Sequence, residues 1–143
     1  QHGFKPRESG PIMGLYDYAD IDCTNIVIHH YFKWLKFGFN RITDNSSNEI
    51  RKGRMTREEA IELVRKWDGF KPPKNYIKAF CTQIEISEKF FWEVAEKHRN
   101  QEIWKKNEND EWYLSGWIAG DKKPDKFSHT ELSSKEKIFF NFN

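Results

Sequence analysis

The 143-residue sequence has few cysteines, and the two that it has, Cys23 and Cys81, lie far apart. Neither belongs to a Cys-x-x-Cys pair or lies near a His pair with metal-binding spacing. This scarcity excludes a disulfide-stapled scaffold and gives no support for a metal site. Isolated cysteines are typical of a reducing compartment, so we expect a cytoplasmic protein. We expect Cys23 to be a small buried residue near a helix start.

Long hydrophobic runs are also absent. No apolar stretch approaches the roughly 20 residues that span a bilayer, and no segment has the pattern of a secretory signal. Hydrophobic residues make up only 37% of the chain, but aromatic residues make up 16%. We therefore expect a protein without a membrane span, with one core built largely from aromatic rings.

The charge of the whole chain is only +2, which does not favour general attraction to nucleic acid. Residues 33–57 are different, because they contain seven basic side chains and only two acidic ones, Asp44 and Glu49. This segment carries +5, so the rest of the chain carries −3. Such a local excess of cations indicates recognition of an anionic small molecule, or a docking face. The seven are Lys33, Lys36, Arg41, Arg51, Lys52, Arg54 and Arg57.

Hydrophobic spacing predicts a mainly α-helical domain of four to five helices with little strand. The first helix is predicted over residues 23–37, capped by Asp22 and ended by Gly38. Further helices are predicted over residues 46–52 and 75–81. Another is predicted to start at Thr56, which forms a capping box with Glu59. The last is predicted to start after Ser87 and to carry one apolar stripe, made of Phe90, Phe91, Val94 and Ala95. A small hairpin or irregular turn is predicted between Trp104 and Trp112.

Composition divides the chain into three parts. Residues 1–20 contain Gly and Pro without a sustained period and are predicted to form an extended lead-in. Residues 21–118 form the helical domain. Residues 119–143 form a polar tail that we expect to pack little of its length on the domain.

A set of short motifs is distributed from about Tyr16 to Leu114. They are Asp22-Cys23, Ile28-His29, Lys36-Phe37-Gly38-Phe39, Arg41, Thr43-Asp44, Ser47, Ile50-Arg51, the run from Gly53 to Ala60, Phe91-Trp92-Glu93 and Ile103-Trp104-Lys105-Lys106. In these motifs the chain resembles the C-terminal region of the N-acetyl sugar amidotransferases, ATP-pyrophosphatase-type enzymes of bacterial surface-glycan biosynthesis. Asn40 departs from the family, which usually has Gly there, and His30 departs where it usually has Asp.

The resemblance implies an enzyme that uses ATP, with magnesium, to convert a sugar N-acetyl group to an acetamidino group. Ammonia would come from a glutaminase partner, and the N-acetylated sugar would be nucleotide-linked and destined for lipopolysaccharide, O-antigen or a related glycan. The Ser-Gly-Gly-x-Asp-Ser loop that binds the pyrophosphate in such enzymes is missing here. We therefore expect the C-terminal portion of a larger α/β enzyme, cut by proteolysis or by design, that alone is inactive and binds no cofactor.

The residues expected to bind substrate are Lys36, Arg41, Thr43, Asp44, Arg51 and Arg54, in a polar connection suited to a carboxylate, a phosphate or sugar hydroxyls. Alternatively, the arginines pair with Asp44, Glu49 and Glu58 and only fix the connection between helices. Asp44 has a further alternative role as a helix cap.

His29 is the candidate catalytic residue, since it shares the polar helix face with Lys33 and Lys36 and an imidazole is suited to proton transfer with an amide that becomes an amidine. A structural or solvent-facing histidine is the alternative. His30 is predicted on the apolar side of the same helix. A different function class also stays open, namely a non-catalytic helical interaction module.

Overall fold

The computed structural model describes residues 3, 5–8, 11–20, 22–23, 25–120 and 123–125. Within them, five α-helices precede a three-stranded antiparallel sheet in the order β1-β2-β3, which confirms the predicted mainly α-helical fold. In this part of the chain no helix combines the length and the hydropathy needed to cross a membrane. The elements are α1 (Ile26–Phe37), α2 (Arg41–Arg51), α3 (Arg57–Trp67), α4 (Lys74–Gln83), α5 (Glu88–His98), β1 (Trp104–Lys106), β2 (Trp112–Leu114) and β3 (Lys123–Pro124).

Helix α1 supplies the centre of the core, because Tyr31, Trp34 and Leu35 are fully buried. Gly38 ends the helix in a left-handed conformation with φ of 73°, and its N–H donates to Trp34 O at 2.9 Å, as the sequence predicted. The predicted start is wrong, since the helix begins at Ile26 after Asn25 rather than at Cys23 after Asp22. Cys23 is exposed and lies before the helix, which corrects the prediction of a buried cysteine.

Helix α2 begins earlier than predicted, and Asp68 gives the reason. The Asp68 carboxylate accepts hydrogen bonds from the backbone N–H groups of Asn40, at 3.0 Å, and Ile42, at 3.2 Å. Both are N–H groups near the helix start that lack intrahelical partners. This cap comes from 26 to 28 residues downstream, so the local sequence that predicted a helix over residues 46–52 did not reveal it.

The next three helices follow local signals more closely. Thr56 and Glu59 form the predicted capping box of α3, and the Ser87 side chain caps α5. Helix α4 extends one residue before and two residues after the predicted 75–81. The predicted stripe on α5 is wrong in part, because Phe90 and Val94 are exposed whereas Phe91 and Ala95 are buried. One residue is about 100° around a helix, which separates the two pairs.

The predicted hairpin is present, with Trp104 opposite Leu114 in β1 and β2. Trp104 packs edge-on against Trp34 with ring centroids 5.3 Å apart, and its indole N–H donates to Leu35 O at 2.9 Å. Strand β3 adds to β2, so that residues 123–124 of the predicted polar tail join the sheet. Residues 121–122 and 126–143 of that tail lie outside the described residues.

The predicted extended lead-in, residues 1–20, needs a correction at its end, because residues 14–20 pack on α2. Leu15 is buried, and its N–H donates to Asn45 Oδ1 at 3.0 Å. Gly14 approaches α2 so closely that an added Cβ would lie 2.2 Å from Asn45 Oδ1. Short loop segments with an apolar anchor can be part of a domain even where no helical period marks them.

Candidate functional site

The first part of the candidate site joins α1 to α2 through an ion pair between Lys33 Nζ and Asp44 Oδ2. The same ammonium lies 4.4 Å from the centroid of the Phe39 ring. Asp44 lies in the first turn of α2, where the helix dipole favours an acid, but Asn40 is the N-cap. The alternative prediction that Asp44 caps this helix is therefore wrong, and Lys33 is its partner.

His29 and Lys36 lie on either side of Lys33 along α1. Both side chains are exposed, as expected for the polar helix face. The Lys36 ammonium lies 5.1 Å from the centroid of the Phe37 ring, which is itself exposed. His29 is one helical turn, roughly 6 Å of rise, from Lys33. The surface of α1 therefore presents the His29 imidazole and the Lys36 ammonium to solvent, whereas the Lys33 ammonium is held by Asp44.

Thr43 has a different environment from the other predicted substrate-binding residues. Its hydroxyl donates to Asp68 Oδ2 at 2.7 Å, beside the capping bonds of α2. Burial raises the pKa of Asp68 to about 6, although the hydrogen bonds from Thr43 and the backbone act in the opposite direction. Thr43 therefore holds the carboxylate that starts α2, and its hydroxyl is committed to the fold.

Arg41 lies on the opposite side of the α2 start, close to His30. Its guanidinium contacts Asp20 Oδ1 at 3.3 Å, which ties residues 14–20 to the helix. His30 is buried, as its predicted apolar position requires. Burial, followed by the positive charges of Arg41, His29 and Lys33, lowers the pKa of His30 to about 4. His30 is therefore neutral at pH 7.

Arg54 belongs to a second cluster, built around Glu49. The Arg54 Nε and NH2 groups donate to the two oxygens of Glu49 at 2.6 and 2.7 Å. The Tyr16 hydroxyl also donates to Glu49, whose side chain is fully buried. The Arg54 hydrogen bonds lower the pKa of Glu49 to about 2, and burial together with the Glu49 contact raises the pKa of Tyr16 to about 12. Arg54 thus has the bracing contact that the alternative prediction named.

Arg51 contrasts with Arg54 in its partners. Its side chain is exposed at the end of α2 and donates to the side-chain oxygen of Asn48, a neutral group. Among the described residues, no carboxylate forms an ion pair with Arg51. By helical spacing, Arg51 shares a face with Asp44 two turns earlier. A charged guanidinium with only an amide partner keeps donors for an anionic ligand.

A cleft of about 370 Å³ lies beside Arg54, on the side of α3. Its walls combine two carboxylates with two apolar side chains. The structure therefore brings the predicted residues into two places, the α1–α2 surface and the Glu49 cluster, rather than into one pocket. The cleft is lined by Arg54, Met55, Glu59, Glu62 and Leu63.

The sequence interpretation missed Tyr16, Tyr18, Asp20 and Asp68. The pairing of Tyr16 and Tyr18 could have been predicted, because side chains at alternate positions of an extended segment lie on the same side of it. Asp68 had no such signal, since its partners are far away in sequence. In the described part of the chain, no group of three His, Cys, Asp or Glu side chains could hold a metal ion.

Comparison with known families gave one match. The family model described as LPS biosynthesis protein WbpG-like, C-terminal domain, matches residues 14–118, which is more than half of the chain. The matched span includes both parts of the candidate site. Neither the curated proteins nor the solved structures gave a significant match.

Proposed function

The chain belongs to the family of lipopolysaccharide biosynthesis proteins defined by the WbpG-like C-terminal domain, and we propose that it is part of an N-acetyl sugar amidotransferase. In this proposal the intact enzyme converts the N-acetyl group of a nucleotide-linked sugar to an acetamidino group. The product enters O-antigen or a related surface glycan, and the reaction takes place in the cytoplasm. Support comes from the family match and from the motifs around residues 36–60.

The chemistry divides between this chain and the rest of the proposed enzyme. ATP, with magnesium, supplies the activation that turns the amide oxygen into a leaving group, and ammonia from a glutaminase partner replaces that oxygen. The sequence has no Ser-Gly-Gly-x-Asp-Ser loop whose backbone N–H groups would hold the phosphates of a nucleoside triphosphate. We therefore assign ATP binding to the remainder of the longer enzyme.

The main support for the proposed role of this chain is the environment of Arg51. An exposed guanidinium with a neutral partner, on a segment with a net charge of +5, suits the anionic part of a nucleotide-linked sugar. The exposed ammonium of Lys36 lies on the same segment and is available for a second contact. Arg41, Thr43 and Asp44 hold protein groups instead, so in the proposal they position this surface.

His29 is the proposed proton-transfer group. Its exposed imidazole can exchange a proton with the amide or amidine nitrogen when the substrate lies along α1. The exposed basic side chains of residues 33–57 also give a glutaminase partner a docking surface of complementary charge.

The test compares two exposed arginines of the same basic segment in the full-length enzyme. Arg51→Ala should cost about 1.5–3 kcal/mol in kcat/KM for the sugar, because charge-assisted hydrogen bonds are lost. Arg51→Lys should restore little, since an ammonium cannot make the planar two-pronged contact. Arg57→Ala, in the first turn of α3, is the matched control and should leave kcat/KM unchanged when free ammonia replaces the glutaminase partner. Equal values for the Arg51 and Arg57 variants would remove Arg51 from the substrate site.

A second candidate is a non-catalytic helical interaction module. It is favoured by exposed apolar side chains at Ile84, Phe90 and Val94, on and beside α4 and α5. Mass spectrometry of the expressed gene product separates the two candidates. A polypeptide far longer than 143 residues that carries the nucleotide loop supports the enzyme, and one without that loop supports the interaction module.

A further inference from the structure

Tyr16 and Tyr18 form a stacked pair beside the Glu49 cluster. Their ring centroids are 5.1 Å apart and their planes differ by 13°. Tyr16 is held by its hydrogen bond to Glu49, so the inner ring has a fixed position. Tyr18 is 56% exposed. One face of Tyr18 lies on Tyr16 and more than half of the residue stays exposed, so the other face is the side from which a ligand can approach the ring.

Arg54 connects this aromatic pair to the cleft on the side of α3. The guanidinium donates two hydrogen bonds to Glu49, and these bonds raise the pKa of Arg54. Glu49 also accepts from the Tyr16 hydroxyl, so Tyr16 lies beside the guanidinium and Tyr18 is stacked on Tyr16. Arg54 also lines the cleft, and its side chain is 41% exposed. An open aromatic face, an exposed group of donors and a cleft thus adjoin one another.

The cleft has the size and the polar groups of a small-molecule site. Its volume of about 370 Å³ lies within the usual range of roughly 300–1,000 Å³. Glu59 accepts a hydrogen bond from the Thr56 N–H with one oxygen, and Glu62 accepts one from Arg65 Nη1. The second oxygen of each carboxylate can accept hydrogen bonds from a ligand. Met55 and Leu63 add apolar surface. Carboxylates accept from hydroxyl groups, and the Arg54 guanidinium can donate to them.

The charges around this site favour a neutral ligand. Glu49, Glu59 and Glu62 face Arg54, Lys52 and Arg65, so three carboxylates oppose three cations. A phosphate placed among the carboxylates would meet repulsion that the cations only offset. A sugar ring meets no such cost, because its hydroxyls pair with both kinds of group and its C–H face can pack on an aromatic ring.

We infer that Tyr18 is a sugar-stacking residue, and that the pyranose ring of the N-acetylated substrate packs on its open face, with hydroxyls directed at Arg54 and the cleft. This inference rests on the proposed function and adds to it a subsite for the sugar ring. Arg51 holds the anionic carrier in the proposed function, whereas Tyr18 and Arg54 receive the neutral ring.

The experiment measures binding of UDP-N-acetylglucosamine, as a probe, to the full-length protein by calorimetry. Tyr18→Phe keeps the ring and should change Kd by less than about twofold. Tyr18→Ala should weaken binding about tenfold or more, the loss of one well-packed stacking contact. Phe90→Ala is the matched control, since Phe90 is a comparably exposed aromatic residue on α5 and should leave Kd unchanged. Melting temperatures are recorded for every variant.

The outcomes separate this inference from the proposed function. Wild-type protein that binds no N-acetylated sugar and forms no acetamidino product would overturn both. Wild-type binding that Tyr18→Ala leaves intact overturns the stacking role alone. A lower melting temperature with unchanged Kd also overturns it, because another part of the protein then covers the ring. Equal weakening of UDP alone overturns it too, since the base would be the stacked group.

Discussion

Two regions of the molecule use the same three groups, a carboxylate, an arginine and a tyrosine hydroxyl. In the Glu49 cluster, Glu49 accepts from Arg54 and Tyr16. In the second region, which we call the Asp125 cluster, Asp125 Oδ2 accepts from Arg99 NH2 at 2.7 Å and from the Tyr31 hydroxyl at 3.3 Å. The chemistry is alike, so the surroundings decide what each cluster does.

The surroundings differ most at the arginine. Arg99 has no exposed side-chain surface, and its guanidinium lies 4.7 Å from the Trp104 ring centroid and 5.0 Å from that of Trp112. Lys71 Nζ lies 3.5 Å from Asp125, so this carboxylate joins α1, α5, the chain before α4 and the end of β3. Arg54 instead reaches solvent. The Asp125 cluster therefore stabilises the fold, whereas the Glu49 cluster also presents a surface to ligands.

The largest expected effect comes from breaking the Asp125 cluster. Asp125→Ala should lower the free energy of unfolding by about 2–4 kcal/mol, because the buried Arg99 keeps only the half-exposed Glu96 as a charge partner and the Tyr31 hydroxyl loses its acceptor. Asp110→Ala is the control, since the Asp110–Lys106 pair is exposed, and it should change stability by less than about 1 kcal/mol. Urea denaturation of the three proteins measures both values. Similar losses for the two variants would show that Asp125 is not a structural hub.

Arg54→Ala should have a smaller effect on stability and an additional effect on binding. Removal of the guanidinium leaves the buried Glu49 without its main partner, so the melting temperature should fall, but by less than in Asp125→Ala. The sugar KM should rise as well if Arg54 lines the subsite. Thermal melting and steady-state kinetics on the full-length enzyme provide both readouts. A lower melting temperature with unchanged kinetics would assign Arg54 to the fold alone.

The pH dependence of stability tests the charge state of Glu49 in its cluster. The pKa of Glu49 is lowered from 4.5 to about 2, so the stabilisation by this ionised group is complete above pH 4.5 and is lost as the pH falls through about 2. In Glu49→Gln this dependence is absent. The difference in unfolding free energy between wild type and variant should therefore shrink steadily below pH 4.5. A difference that stays constant down to pH 2 argues against an ionised, Arg54-paired Glu49.

The smallest expected effect is the response of the isolated chain to ATP. Neither cluster provides a glycine-rich loop of backbone N–H groups for phosphates, so titration calorimetry should detect no binding at micromolar ATP. Heat release with micromolar affinity contradicts the assignment of the nucleotide site to the remainder of the enzyme.

Local signals in the sequence predicted much of the helical framework. Gly38, the Thr56–Glu59 capping box and Ser87 each act within a few residues, so their effects follow from propensity and turn geometry. The start of α2 did not follow, because Asp68, which accepts from the N–H groups of Asn40 and Ile42, lies just after α3 and 26 to 28 residues away. Glu49 and Arg54 are only five residues apart, so the sequence allows their pairing to be predicted.

Contacts between residues far apart in the sequence, such as those of the two clusters, also could not be predicted from local signals. Asp125 and Arg99 are 26 residues apart, and Tyr16 and Glu49 are 33 apart, so only the tertiary fold brings them together. Arg51 and Arg54 are equivalent in the sequence pattern, since both are cations in one basic segment. Their different partners, an amide and a buried carboxylate, become visible only when the chain is folded.

The most direct test of the account is a search for the product with nitrogen-15 ammonia. Full-length protein is incubated with ATP, magnesium, labelled ammonia and a nucleotide-linked N-acetylated sugar, and the sugar is analysed by mass spectrometry. We expect the amide oxygen to be replaced by a labelled nitrogen, with ATP consumed in parallel. Folded, full-length protein that binds the sugar but incorporates no label at saturating ammonia would contradict it.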